Sequence, residues 1–327
     1  MTLVERYLAG QSIEVWNELI DLGPDVRQPD MALQAKLVAD ETMRRARRNV
    51  EVLVRALPSV GWSFHYPVSG EPGFSVWSPA DSHIEQSIGS MEARLNGPIP
   101  VSLAAWWRIV GAVDLTRKPA AGPFIEYPDP LVVLPPRAVL DELEEWQGDD
   151  IAQEMVPEFL APIAPDLFHK EDVSGGAPYG IHLPDATADG VIRNLGDEPM
   201  HFVAYLRHAF KWAGLPGYAE THTAPPSPLD AVAASSSRVV TSAKQVRAHA
   251  ILVRIRAPTI PKAGPCGRHH TRWPGVVEAG QTIDLRRRRH RMERAGLPEN
   301  DPAPPYERRG LARGQQSHCR RRRAHPR

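Results

Sequence analysis

The sequence predicts an α+β fold: a small sheet flanked by helices, preceded by an N-terminal helical hairpin and followed by a disordered basic tail. Three observations predict it. Apolar residues recur at helical spacing through residues 3–57 and again in separate blocks up to Trp212. Short alternating or continuously apolar runs lie between those blocks, at the length of strands. After Tyr218 both patterns stop. With 327 residues, the chain has room for one large domain or two.

The stretch 99–115 anchors this reading. Pro100 has a fixed φ that suits a helix start. Leu103, Trp106, Trp107 and Val110 fall on one helical face, and Gly111 can take the positive φ that ends the helix. Each tryptophan can bury roughly 200 Å², so the pair reads as core. Residues 112–115 turn extended at once.

The other elements follow in order. Residues 3–22 read as helix, with Val4, Tyr7 and Leu8 and then Trp16, Leu19 and Ile20 on the buried side; Gly10 is placed to break it in two. A second helix over 31–57 carries the seam Met43, Ala46, Val50, Leu53 and Leu57, and pairs with the first as a hairpin. Arg44, Arg45, Arg47 and Arg48 crowd beside that seam, as a solvated face or a patch for an anionic partner. Trp62, Phe64 and Tyr66 alternate as a half-buried strand, with Phe74, Val76 and Trp77 as its partner across the turn Gly70-Glu71-Pro72-Gly73. Residues 84–95 form a helix ended by Asn96-Gly97-Pro98, and 119–128 are a proline- and glycine-rich connection. Residues 131–134 suit an inner strand. Pro135-Pro136 then launches a helix with Val139, Leu140, Leu143 and Trp146 inward. Strands are expected at 159–163 and 179–183, with a loop over 173–178 between them. A last helix runs over 201–212 and closes at Gly214-Leu215-Pro216-Gly217. The domains expected are therefore 1–58, 59–218 and the tail 219–327.

The formal net charge of zero conceals two opposite parts. Residues 219–327 hold 22 Lys and Arg against 8 Asp and Glu; residues 1–218 hold 17 against 31. The tail is rich in Pro, Ala, Ser and Arg, with arginine runs at 286–289 and 320–323, and Trp273 and Tyr306 are its only aromatics. Residues 251–255 alternate like a strand without an evident partner. Such a composition does not offset chain entropy by burial. Three readings stand for it: the product of a shifted reading frame in a GC-rich gene, a disordered tail without a specific role, or a basic arm that neutralises nucleic-acid phosphates. Both cysteines, Cys266 and Cys319, lie there, and the cysteine-free body fits a reducing cytoplasm. No basic segment leads into a long apolar run, so neither a signal peptide nor a membrane span is expected.

Chemistry-bearing residues are sparse. Asp166, His169, His182, Asp185 and Asp189 are the nearest approach to an acid/base or metal group, without a His-Glu-x-x-His or Cys-x-x-Cys pattern. Cys266, His269 and His270 make a poor zinc set. Gly175-Gly176 lacks phosphate-loop spacing, and Ser102 and Ser174 lack a nucleophile elbow. No cofactor is expected. The helix after Pro136 presents Asp141, Glu142, Glu144 and Glu145 outward, and Asp149 and Asp150 follow. Asp141, Glu144, Glu145, Asp149 and Asp150 are the candidate partner-binding residues, since an acidic surface steers a basic partner.

Four stretches stand out together: Ile99-Pro100-Val101-Ser102-Leu103-Ala104-Ala105-Trp106-Trp107-Arg108-Ile109-Val110-Gly111; Asp129-Pro130-Leu131; Phe168-His169-Lys170 with Val173-Ser174-Gly175-Gly176 and Tyr179-Gly180-Ile181; and Phe202-Val203-Ala204-Tyr205-Leu206-Arg207 with Trp212-Ala213-Gly214-Leu215-Pro216-Gly217. Together they resemble the SUKH superfamily, the Smi–Knr-type proteins that include many bacterial toxin-immunity proteins. The resemblance covers about residues 60–218; the hairpin is an extension and the tail lies outside it. It implies an α+β domain that binds a protein partner, such as a toxin domain, in the cytoplasm, without shared catalytic residues. The alternatives are an enzyme or metal-binding protein using the 166–189 region, and nucleic-acid binding through the tail.

Overall fold

The computed structural model describes residues 1–68, 75–117, 124–155, 157–195, 199–227 and 229–241, with side chains as far as Ser235 apart from Met155. All of these belong to one compact unit spanning Met1–Pro258. The fold is α+β, as the patterning requires. Among the described residues no helix is long and apolar enough to cross a membrane.

The N-terminal helices form where Gly10 divides them: α1 is Leu3–Leu8 and α2 is Ser12–Asp21. Gly10 sits at φ +101°, open to glycine and strained for other residues. Thr2 caps α1 reciprocally with Glu5. The long helix α3, Pro29–Ala56, buries Met43, Ala46, Val50 and Leu53 as its seam predicts. Trp16 of α2 donates its indole N–H to Thr42 Oγ1 of α3 at 3.1 Å, which closes the hairpin. The hairpin does not stand apart. α3 also packs along the anchor helix α5, Val101–Ile109, so the first 58 residues share the core of the rest.

The anchor helix matches its reading closely. Trp106 and Trp107 are both 0 % exposed. The ring of Trp106 meets Phe202 edge-on at 5.8 Å, and Trp107 Nε1 donates to the Leu134 carbonyl at 3.0 Å. Gly111 ends the helix at φ +93°. A Cβ there would lie 2.1 Å from the Ser78 carbonyl oxygen. Gly111→Ala is therefore expected to destabilise by more than the roughly 1–3 kcal/mol of backbone strain alone, because the backbone at Ser78–Ala80 must move as well. Chemical denaturation measures it; a loss under about 0.5 kcal/mol, the size of a neutral surface change, contradicts the close approach.

Two small antiparallel sheets replace the single one expected. The first orders β1 (Trp77–Ser78), β2 (Ala112–Asp114) and β3 (Val132–Val133). The second orders β4 (Phe159–Ala164), β5 (Tyr179–Leu183), β6 (Val191–Arg193) and β7 (Met200–His201). They abut where the Leu134 N–H donates to the Ile163 carbonyl at 2.8 Å. The expected hairpin between 62–66 and 74–77 is corrected. Trp62 and Phe64 do point inward, but Phe64 bridges to Arg117 and Trp77 pairs with Val113. Alternation fixes which face is buried, not which strand is the neighbour. The turn 70–73 and Phe74 lie outside the described residues, as does 118–123 of the expected connection.

Helices cover the sheets: α4 (Ile84–Leu95), α6 (Pro136–Gly148), the short α7 (Asp150–Met155) and α8 (Phe202–Lys211). Asn96 ends α4 at φ 50°, in the left-handed conformation that asparagine tolerates.

The ordered body continues past Tyr218, where the sequence reading ended it. Helix α9, Leu229–Thr241, packs on α3 and α8 and buries Leu229, Val232 and Ala233 at helical spacing. Averaging composition over the whole tail hid this one stripe. Residues 242–327, with 251–255, both arginine runs, Cys266, His269, His270 and Cys319, lie outside the described residues.

Candidate functional site

The acidic surface is built by the register of α6. Val139, Leu140 and Leu143 face the core, so 3.6-residue periodicity turns Asp141, Glu142, Glu144 and Glu145 outward. All four are exposed, as are Asp149 and Asp150. The five candidate residues differ in their engagements. Asp141 pairs with Arg137 at 2.9 Å, a solvated i,i+4 contact. Glu144 reaches Arg94 of α4 at 2.7 Å. Asp149 caps α7: its Oδ1 accepts the N–H groups of Ile151 at 3.0 Å and Ala152 at 3.1 Å. Glu145 and Asp150 have no ion-pair partner among the described residues, and neither has Glu142. Ile151 stands among these acids and is 44 % exposed. The sequence reading missed it, since no periodicity marked the six-residue α7.

The arginines beside the α3 seam are largely compensated. Arg44 and Arg45 approach Glu41 at 3.5 and 3.0 Å, and Arg48 lies 3.9 Å from the same carboxylate. Arg47 pairs with Glu51 at 3.4 Å and donates to the Ile109 carbonyl at 3.2 Å. This is the solvated, internally paired face rather than an open basic patch.

The five acid and histidine residues of 166–189 do not assemble. Asp166 and His169 meet: Asp166 Oδ2 bonds His169 Nδ1, while Oδ1 accepts the N–H groups of Phe168 and His169 at 2.8 and 3.2 Å. Gly176, at φ +78°, lets the chain pass over this carboxylate; a Cβ would sit 2.6 Å from Oδ1. His182 faces Glu158 at 3.7 Å instead. Asp185 accepts the Thr187 N–H at 2.8 Å and shapes its own loop. Among the described residues no three His, Cys, Asp or Glu side chains are grouped to hold a metal.

Asp189 is a buried clasp between two helix starts. It accepts Ser102 Oγ–H of α5 at 2.6 Å and the Val203 N–H of α8 at 3.1 Å. Burial is the main cause that pushes its carboxyl up to about 6, against the lowering effects of those bonds, His201 and Arg207. The folded-state value exceeds the unfolded one near 3.8. Asp189 therefore contributes stability that is fully present below pH 3.8 and lost as pH rises through about 6. Unfolding free energies at pH 4.5 and pH 7 check this. Wild type should gain more on acidification than Asp189→Asn, and parallel pH profiles would contradict it.

A polar cluster that sequence reasoning missed lies near the Asp166 turn. Lys170 is fully buried in its side chain, and its ammonium pairs with Asp129 Oδ1 at 2.6 Å and lies 4.5 Å from the Tyr179 ring centroid. Arg117 pairs with Glu171 at 3.0 Å and lies 5.4 Å from the Trp62 ring centroid. A separate cleft of about 540 Å³ runs along Pro58–Val68, with Trp62, Phe64, His65 and Tyr66 in its lining. Among known proteins, no family model, curated protein or solved structure matches the chain.

Proposed function

We propose that the chain is a non-catalytic protein-binding module of the toxin-immunity or regulatory kind, acting in the cytoplasm, as its resemblance to the SUKH superfamily implies. Its α6–α7 face meets a basic protein surface, such as the cleft of a nuclease toxin. The observation that carries this reading is the arrangement of that face. The α6–α7 segment carries six exposed carboxylates together with the exposed Ile151, and Glu142, Glu145 and Asp150 remain without ion partners among the described residues. Uncompensated charge around an apolar residue favours fast, salt-sensitive encounter and a desolvated contact at the centre.

A photo-cross-linking residue at the exposed Gln147 tests it in the native host. The reading expects a discrete adduct with a basic protein, lost in Glu145→Lys/Asp150→Lys, because neither side chain makes an ion pair among the described residues. An adduct that survives both charge reversals overturns the reading.

A further inference from the structure

The Asp166 turn carries the exposed Phe168, outside the acidic α6–α7 face, and the half-buried Tyr127 of a separate loop packs against it. Phe168 and Val173 are each 41 % exposed, and the Val173 N–H donates to the Phe168 carbonyl at 3.0 Å, so one turn displays both. Tyr127 meets Phe168 edge-on, with ring centroids 5.6 Å apart at 76°. The loop segment that holds Tyr127 is tied down next to it: Arg117 Nη2 donates to the carbonyls of Ile125 and Glu126 at 3.1 and 3.3 Å.

Among the described residues, the charges around this pair are one-sided. The Arg117–Glu171 and Lys170–Asp129 pairs cancel internally. Glu126 and Asp172 are exposed and have no ion-pair partner among the described residues. Glu171 keeps a second oxygen, Oε1, buried and without a hydrogen bond among the described residues. Glu126 is also close enough to Tyr127 to be the main cause raising the phenol above its ordinary value. Surface aromatic rings beside unpaired carboxylates attract a cation through both the ring face and Coulomb forces. A guanidinium fits such a site better than an ammonium, because it stacks on rings and bonds carboxylates in the same plane.

We propose that Tyr127, Phe168, Glu126 and Asp172 form a subsite that takes an arginine side chain of a protein partner. The partner rests on the function proposed above; the residues are separate from the α6–α7 face.

Titrating a fluorescein-labelled hexa-arginine peptide into the full chain at low salt tests it. Phe168→Leu keeps apolar bulk and removes the ring, and should weaken binding about fivefold. Phe168→Tyr should bind within about twofold of wild type, since the ring face is kept. Glu126→Gln/Asp172→Asn should weaken binding by roughly tenfold. Hexa-glutamine should not bind. The ratio between wild type and Phe168→Leu should persist in a Glu145→Lys/Asp150→Lys background. Equal affinity of wild type and Phe168→Leu overturns the subsite, as does failure of wild type to bind hexa-arginine. Loss confined to the Glu145→Lys/Asp150→Lys protein also overturns the subsite, yet leaves the α6–α7 reading standing.

Discussion

Trp107→Ala should destabilise the protein by about 4 kcal/mol, the range for emptying a fully buried tryptophan site. Trp107 is 0 % exposed on the helix against which α3 packs, so neighbours from several elements line the vacancy. The Leu134 carbonyl also loses its indole donor, at the point where the two sheets abut. For a body of this size the melting temperature should fall by roughly 10 °C. Its neighbour provides the control. Trp106 Nε1 has no hydrogen-bond partner among the described residues, so Trp106→Phe removes a buried donor that is unpaired there, along with some ring volume. Trp107→Phe removes the same volume but strands a carbonyl, which costs about 1–3 kcal/mol more. Equal losses for the two phenylalanine variants would contradict this assignment of the indole bond.

Lys170→Met should cost about 3–5 kcal/mol, because it leaves the Asp129 carboxylate buried without its cation. Asp129 is 8 % exposed and holds φ 49°, so the carboxylate cannot simply swing out without rebuilding the turn before β3. Replacing both partners gives a different result. Asn tolerates the left-handed backbone at 129, and Asp129→Asn/Lys170→Met should recover at least half of the single-variant loss. The double-mutant cycle should then report coupling above about 2 kcal/mol. The exposed Arg137–Asp141 pair is the reference. Its side chains are 74 % and 55 % exposed, and breaking it should cost no more than about 0.5 kcal/mol. Additive losses at 129 and 170 would show that burial, rather than pairing, sets their cost.

The contrast between these residues explains what was legible in the sequence. The anchor helix is written locally: Pro100 before it, Gly111 after it, and a two-tryptophan face between. Asn96 and the paired prolines before α6 are local signals too, and both mark real boundaries. Strands β6 and β7 escaped because three and two residues cannot display a period, and β7 runs straight into α8. The 62–66 segment shows the limit of alternation, which named Trp62 and Phe64 correctly as buried and the partner strand wrongly.

The site divides in the same way. The outward acids of α6 follow from helical geometry, so the sequence places them on one face. Their engagements are tertiary: Glu144 with Arg94 lies 50 residues apart in the chain, and Lys170 with Asp129 lies 41 apart. No local pattern reports such pairs. Asp166 and His169 are three residues apart and do meet, whereas His182, Asp185 and Asp189 are turned to other partners by β5 and the loop after it.

The most direct measurement of the central proposal is the association rate with the protein captured at Gln147, for wild type and Glu145→Lys/Asp150→Lys, at about 50 mM and about 300 mM salt. If the α6–α7 face recognises a basic surface, the charge-reversed protein should associate at least tenfold more slowly at the lower salt. The two rates should converge at the higher salt, where the field is screened. Rates that are equal at both salt concentrations would contradict recognition through this face.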